Sequence, residues 1–301
     1  MNVKSIAITN IGRVRQNNED NFYLCGKYKT DVDLPNMTCT FSEPSNNYLF
    51  SVCDGMGGEA FGELASFVAV RLLNRYADSF NKTINEYIEQ ANGEICSEIT
   101  SHGGKRIGTT FAALSLADGA ASAFNIGDSR IYLIRNGKIS QISEDHTQVQ
   151  MLINQGFVSI NDAKKHPARH VLTQHLGIFP DEMAIEPFCA EPIKTENGDI
   201  FLLCSDGLTD TLSDNDLLEI TNDGSDLEYK ANTLIESAIN TGSRDNITVI
   251  LVEISEDDVL AELTKPQTDY DTAEAFPQKD VKAAKPGLIN KIIKAIKERS
   301  S

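Results

Sequence analysis

Eight short runs of apolar and β-branched residues recur along this chain and favour a fold built on sheets. They span residues 5–9, 21–25, 48–53, 110–116, 121–125, 130–135, 200–204 and 247–254. Most are apolar throughout, which is typical of strands covered on at least one face. The Asn136-Gly137 pair after the sixth run predicts a hairpin. Together these signals predict a meander of antiparallel strands.

Two long amphipathic helices are predicted between the third and fourth runs. Apolar residues at helical spacing mark the first, which covers residues 61–76, and the second, which follows a capping box of Thr83 and Glu86. Later helices are predicted to begin at Ser213 and Ser225, and the last to stop at Gly242. Because these helices are segregated from the strands, we predict an α+β fold. Two packed antiparallel sheets would be flanked by helices in an α-β-β-α sandwich.

The main domain is predicted to span residues 1–254. Within it, the polar helical stretch at about 145–177 is predicted to form a flap over the body, and residues 26–47 to form an exposed loop. Residues 255–281 are acidic and irregular, which predicts a linker. Residues 282–301 predict a basic amphipathic tail that folds back on the acidic body or binds a partner, in preference to a membrane.

Charge and cysteine pattern limit the classes of function and the compartment. The formal net charge of −17 argues against a nucleic-acid-binding protein. The six cysteines form no C-x-x-C pair, which predicts reduced thiols. The sequence starts without a signal-peptide pattern, and no apolar run is long enough to span a bilayer. We therefore expect a cytoplasmic protein without a transmembrane segment.

Aspartates stand repeatedly at the ends of the apolar runs, at Asp54, Asp128, Asp206 and Asp245. Any one of them could be an ordinary turn former, since Asp-Gly and Asp-Asn pairs are common in turns. Four in the same context are better explained by convergence on a cation, because that much buried negative charge is unfavourable unpaired. Oxygen ligands favour Mg²⁺ or Mn²⁺ over Zn²⁺.

A second group of charged residues precedes the second run, where Arg15 is followed by Glu19 and Asp20. A guanidinium beside a carboxylate and metal centre has the geometry that phosphate oxygens require. The alternative is a surface arginine balanced by Glu19.

The residues from Arg15 to about Ile254 resemble the type 2C family of metal-dependent serine/threonine protein phosphatases. The matching blocks, in family order, are RQNNED, VCDGMGG, GTT, NIGDSR, DHTQV, HPARHVLTQHLG, CSDGLTD and SRDNITV. The DGMGG form resembles bacterial members. The resemblance implies a two-sheet sandwich flanked by helices, with metals in a cleft at one edge. It also implies that phosphoserine and phosphothreonine esters are hydrolysed by a water activated between two divalent metals, Mn²⁺ or Mg²⁺.

The resemblance also implies a role for each matching residue. Asp54 would bridge both metals, the Gly55 carbonyl would bind one, and Asp206 and Asp245 would hold the other. Glu19 and Asp20 would act mainly through metal-bound waters. Arg15 would grip the substrate phosphate, which makes Arg15 and Asp54 the catalytic pair.

Three further expectations concern the edge of the site. A third, weaker metal would be held by Asp128 and Asp210. The family's general acid has no counterpart, because Met56 stands where eukaryotic relatives have His and Glu59 stands where bacterial relatives often have it. The leaving alkoxide is then expected to take its proton from metal-bound water. Without an H-E-x-x-H motif, His166 and His170 are expected to be surface or flap-packing residues.

The leading functional hypothesis is a monomeric phosphatase of phosphoserine and phosphothreonine proteins that opposes a bacterial protein kinase. A hypothesis from another class is a catalytically silent phosphoprotein-binding module of the same fold, although such a protein should have lost a ligand. A third is a phosphatase dedicated to one regulatory protein.

Overall fold

A computed structural model of the protein describes residues 2–57, 61–163 and 165–255. Glu59 and the predicted basic tail lie outside these ranges, as does the predicted linker from residue 256 onward. The described strands are β1 (Asn2–Asn10), β2 (Asn21–Leu24), β3 (Lys27–Tyr28), β4 (Asn36–Phe41), β5 (Asn47–Cys53), β6 (Gly55–Met56), β7 (Gly108–Thr109), β8 (Phe111–Ala117), β9 (Ala120–Ile126), β10 (Arg130–Arg135), β11 (Lys138–Gln141), β12 (Phe188–Cys189), β13 (Ile193–Lys194), β14 (Ile200–Cys204) and β15 (Ile247–Ser255). The described helices are α1 (Gly62–Leu73), α2 (Phe80–Ser101), α3 (Gln148–Asn154), α4 (Ile160–Ala163), α5 (Asp206–Thr209), α6 (Asp214–Thr221) and α7 (Leu227–Thr241).

The strands form two antiparallel sheets. The first has the order β11-β10-β14-β15-β1-β4, and the second has the order β12-β9-β8-β5-β2-β3 with β13 also paired to β9. A separate short ribbon pairs β6 with β7. The chain therefore begins and ends its described part in the middle of the first sheet, where β1 pairs with β15 along its whole length.

Three layers of apolar side chains hold the sandwich together. The middle layer lies between the sheets and includes Phe22, Phe50 and Ile250. A second layer joins α1 and α2 to the second sheet, and a third joins α6 and α7 to the first. Burying one side chain of this size contributes about 2 kcal/mol. These layers confirm the predicted α-β-β-α sandwich.

The structure confirms one turn and two helix ends that the local sequence predicts. Asn136 and Gly137 both have positive φ, 52° and 70°, as a tight hairpin between β10 and β11 requires. Ser213 caps α6 in a capping box with Asp216, as predicted. Gly242 ends α7 with a φ of 103°.

Two predicted helix starts are wrong. α2 begins at Phe80, so Thr83 lies inside the helix, where its hydroxyl donates to the Ser79 carbonyl at 3.1 Å. The last helix is capped by Asp226, one residue after Ser225, because the Asp226 carboxylate accepts a hydrogen bond from Tyr229 N. Both errors arise because several residues near each start can serve as caps.

The predicted loop at 26–47 is also partly wrong, because it contains β3 and β4. β4 pairs with β1 at the edge of the first sheet, and its residues alternate between exposed and half-buried. An edge strand needs only one partly covered face, so the polar and apolar residues of NMTCTF alternate without forming an apolar run.

The segment at 145–177, which we call the flap segment, carries the short helices α3 and α4. Thr147 caps α3, and its hydroxyl accepts a hydrogen bond from Gln150 N. Large apolar side chains at Met151, Phe157 and Ile160 are exposed on it. Within the described ranges, no helix combines the length and apolarity needed to cross a membrane.

Candidate metal centre

The strand-end aspartates meet at one edge of the sandwich. Asp54 follows β5, Asp128 follows β9, and Asp206 lies just after β14. Strand register places Asp20 at the same edge, because Asn21 pairs with Cys53, directly before Asp54. Asp20, directly before β2, therefore lies beside Asp54, directly after the neighbouring strand β5. The structure thus brings together the side chains that the sequence singled out.

Two carboxylates of this cluster each have one oxygen that accepts no hydrogen bond from the described part of the chain. Asp20 is fully buried, and its Oδ2 accepts hydrogen bonds from Ser205 Oγ at 2.8 Å and Thr248 Oγ1 at 2.7 Å. Among the described residues, no hydrogen-bond donor reaches Asp20 Oδ1 or Asp206 Oδ1. A buried acceptor without a partner costs about 1–3 kcal/mol, which a bound cation would offset. This arrangement fits a divalent metal.

The pKa values of these carboxyls also indicate a site made for a cation. Burial raises the pKa of Asp54 well above its usual value, and the charges of Asp20 and Asp206 raise it further. Burial likewise raises the pKa of Asp206 well above normal and that of Asp128 to about 7, with neighbouring carboxylates adding to both. The pKa of Asp20 is raised by burial to about 6. Positive charge in the cluster would relieve this repulsion.

Backbone packing holds Asp54 and Gly55 in place. Asp54 N donates to Thr110 Oγ1 at 2.9 Å, and Thr110 N donates to the Asp54 carbonyl at 2.9 Å. A Cβ at Gly55 would lie 2.3 Å from the Gly62 carbonyl oxygen and 2.5 Å from that of Glu19. Only glycine allows β6 to approach α1 and the loop before β2 this closely. The close packing on both sides holds the Gly55 backbone in place.

Arg15 and Glu19 lie on the loop between β1 and β2. The Arg15 guanidinium donates from Nη2 to Asp245 Oδ2 at 2.6 Å, while 46% of its side chain remains exposed. Burial raises the pKa of Glu19 to about 7, and the charge of Glu63 adds to this. Arg15 therefore presents a partly solvated guanidinium directly beside the carboxylate cluster.

Asn246, which the sequence pattern did not single out, connects this loop to the first sheet through hydrogen bonds. Its Nδ2 donates to the carbonyls of Ile11 and Asn17 at 3.0 and 2.9 Å, and its Oδ1 accepts from Glu19 N at 2.9 Å. The signal was present, since Asn246 follows Asp245 directly, but an Asp-Asn pair is also an ordinary turn.

We expect Asn246→Ala to lower the free energy of unfolding by about 1–2 kcal/mol, because three half-buried backbone groups lose their partner. Urea unfolding measures this change. Asn46→Ala, at an exposed position directly before β5, is a control of the same type outside this loop. A loss no larger than that of the control would contradict the positioning role.

His170 is a surface residue, as expected, with 40% of its side chain exposed. The sequence did not predict its neighbours: its Nδ1 lies 3.9 Å from Asp206 Oδ2 and 3.7 Å from Asp210 Oδ1. The ligating atoms of Asp128, His170 and Asp206 all lie within 4.8 Å of one another. The flap segment therefore adds a nitrogen donor beside an otherwise all-oxygen cluster.

Comparisons with known proteins agree with this geometry. The model of the protein phosphatase 2C family matches residues 26–234. The serine/threonine phosphatase stp of Listeria monocytogenes is 34% identical over 258 residues, which cover 81% of this chain and 93% of that protein. The crystal structure of the Mycobacterium tuberculosis serine/threonine phosphatase PstP/Ppp superposes with a TM-score of 0.71 at 29% identity, covering 85% of this chain and 100% of that one.

A further solved structure bears on the metal. The catalytic domain of the phosphatase PstP, in complex with two manganese ions, has a TM-score of 0.69 and 28% identity, and covers 85% of this chain and 99% of that one. The family match and the buried carboxylate cluster lead to the same conclusion. The chain belongs to the protein phosphatase 2C family of metal-dependent protein phosphatases.

Proposed function

We propose that the protein removes phosphate from phosphoserine and phosphothreonine residues of other proteins, with two divalent ions, Mn²⁺ or Mg²⁺, at the carboxylate cluster. The observation that carries the proposal is a pair of buried carboxylate oxygens, on Asp20 and Asp206, that no hydrogen-bond donor of residues 2–57, 61–163 and 165–255 reaches. The manganese-bound relative supports the same assignment. An intact set of acidic side chains speaks against a silent phosphoprotein-binding module, which should have lost one.

Five carboxylates and one carbonyl would hold the ions. Asp54 lies among Asp20, Asp206 and Asp245. Burial is the main cause of its raised pKa, and the charges of these three carboxylates raise that pKa further. As the resemblance to the family implies, Asp54 would be a ligand of both ions, the Gly55 carbonyl a ligand of one, and Asp206 and Asp245 ligands of the other. Asp20 and Glu19 would contribute from the loop before β2, mainly through water.

The ions, when bound, supply an activated water at neutral pH and positive charge against the phosphate. The protein's own part is to fix the carboxylates and to present Arg15. The Arg15 guanidinium would donate to two oxygens of a phosphate, and its hydrogen bond to Asp245 orients it. The attacked phosphorus would then lie between Arg15 and the cluster, so charge neutralisation and positioning provide most of the rate enhancement.

A third, weaker ion, held by Asp128 and Asp210, is part of the proposal. So are a protein serine/threonine kinase that supplies the phosphorylated substrates, a monomeric state and a cytoplasmic location. All six cysteines are free thiols, which supports a reducing compartment.

Phosphate release from a phosphothreonine peptide in Mn²⁺ tests the proposal. We expect turnover of the phosphothreonine and phosphoserine peptides, and much slower turnover of a phosphotyrosine peptide of the same sequence. A folded protein that binds the phosphothreonine peptide without hydrolysing it would support the silent module instead.

We expect Arg15→Ala to raise the KM for the phosphothreonine peptide about tenfold and to lower kcat less, since the guanidinium binds the phosphate in both substrate and transition state. Steady-state kinetics measure the two constants. Arg13→Ala is the matched control, because Arg13 lies on the same loop and donates to Asn240. An unchanged KM in Arg15→Ala would contradict the assignment of Arg15.

A further inference from the structure

Lys29 is a lysine whose whole side chain lies in the interior, near the carboxylate cluster. It directly follows β3 and has no exposed surface, which makes it the most deeply buried lysine or arginine among the described residues. Its Nζ donates to the Asn18 carbonyl at 2.6 Å, and in the described part of the chain no carboxylate pairs with it directly. Because a buried ammonium is unfavourable without compensating charge, the compensation has to come from carboxylates that lie near it without direct contact.

Buried hydrogen bonds fix Lys29 on both sides of Asp20. Nζ binds the carbonyl of Asn18, two residues before Asp20, and Asn18 Oδ1 accepts a hydrogen bond from Asp20 N at 3.1 Å. Asn21, directly after Asp20, forms two hydrogen bonds with the Lys29 backbone. Lys29 N donates to Asn21 Oδ1 at 3.0 Å, and Asn21 Nδ2 donates to the Lys29 carbonyl at 3.0 Å. The ammonium therefore cannot turn towards solvent unless these hydrogen bonds break.

The charges of Lys29 and of the cluster act on each other. Burial lowers the pKa of Lys29, and the negative charge of Asp20 is the strongest influence that opposes this, followed by that of Glu63. Burial raises the pKa of Asp20, and the charge of Lys29 is one of the influences that oppose the rise. Buried charges are screened much less than exposed ones. Lys29 is therefore close enough to act on an ion that the cluster binds.

We propose that Lys29 is an internal cation that lowers the affinity of the carboxylate cluster for divalent ions. Its charge offsets part of the negative charge of the carboxylates and repels the ions that they hold. The inference rests on the proposed binding of two divalent ions at this cluster. Lys29 is not a ligand, since an ammonium has no acceptor atom, and it acts on the ions through space and through the position of Asp20.

A fixed positive charge beside the cluster sets the concentration range in which the site fills. With this charge present, the carboxylates bind the ions more weakly than they would alone, so occupancy follows the free Mn²⁺ concentration over a higher range. The sign of the effect separates charge from structure. Loss of support for the loop before β2 would weaken metal binding, whereas loss of the charge alone strengthens it.

The test measures the Kd for Mn²⁺ by isothermal titration calorimetry in chelator-stripped wild type and Lys29→Gln. Glutamine keeps an amide that can donate to the Asn18 carbonyl, but it carries no charge. We expect Lys29→Gln to lower the Kd about tenfold. The rise in Tm that Mn²⁺ produces should also be larger in Lys29→Gln than in the wild type, by about 4 °C, because tighter binding adds stability to the folded state.

Lys27→Gln is the matched control. Lys27 begins β3, on the same hairpin, and its Nζ also donates to a backbone carbonyl, that of Thr40 at 2.9 Å, but its side chain is exposed. This substitution should leave the Kd and the rise in Tm unchanged, because solvent screens the charge of Lys27.

An unchanged or higher Kd in Lys29→Gln would overturn the role of Lys29 while leaving the proposed function intact. A Lys29→Gln protein that does not fold would overturn it too, because the charge would then be needed by the fold itself. If the folded wild type binds no Mn²⁺, the proposed function is wrong, and the inference falls with it. Neither readout depends on catalytic activity.

Discussion

Asp54→Asn is expected to lower kcat for a phosphothreonine peptide in Mn²⁺ by about a thousandfold. Asp54 is the carboxylate whose pKa is raised by the charges of Asp20, Asp206, Asp245 and Asp128 after burial, which places it at the centre of the cluster. An amide cannot supply the negative charge that two cations share, although it keeps nearly the same shape. Phosphate release under saturating substrate measures the loss.

Asp118→Asn is the matched control for this substitution. Asp118 lies in the exposed turn between β8 and β9 with a φ of 52°, a conformation that asparagine adopts easily. The control should keep full activity. If Asp54→Asn retained more than about a tenth of the wild-type kcat, Asp54 would not be the shared ligand.

The second large effect concerns stability. Addition of Mn²⁺ to the metal-free wild type is expected to raise Tm by about 10 °C, because ions that bind the folded state at concentrations far above Kd add about 4 kcal/mol or more. In Asp54→Asn this increase should nearly disappear. Differential scanning calorimetry with chelator and with Mn²⁺ measures both.

Without metal, the effect of Asp54→Asn on stability relative to the wild type should have the opposite sign. In chelator, Asp54→Asn is expected to be more stable than the wild type by about 1–3 kcal/mol, because the substitution removes a buried acid from a repelling cluster. Asp118→Asn should change neither measurement. An Asp54→Asn protein that is less stable than the wild type in chelator would show that Asp54 serves the fold without a cation.

Much of the fold could be predicted because the local signals agreed with the tertiary structure. The runs that became β5, β14 and β15 are apolar on both faces, since each is covered by the opposite sheet and by helices. The edge strand β4 was missed for the converse reason: it is only half covered, so its residues alternate with no apolar run.

The acidic residues of the site could be predicted because they stand at strand ends, where a sheet determines their position. His170 could not. It lies on an irregular segment, and its approach to Asp206 depends on hydrogen bonds from residues 146–148 to residues 171–173 that no local pattern encodes. Asn246 was missed because its three hydrogen bonds reach a loop more than 200 residues away in sequence.

The most direct test of the central claim is metal restoration. The protein would be stripped with chelator, dialysed and then assayed for phosphate release from a phosphothreonine peptide at increasing Mn²⁺. The account predicts no turnover in the stripped protein, and a rise with Mn²⁺ that is lost in Asp54→Asn and kept in Asp118→Asn. Full turnover in the stripped protein, or no turnover at any Mn²⁺ concentration in a folded protein, would contradict it.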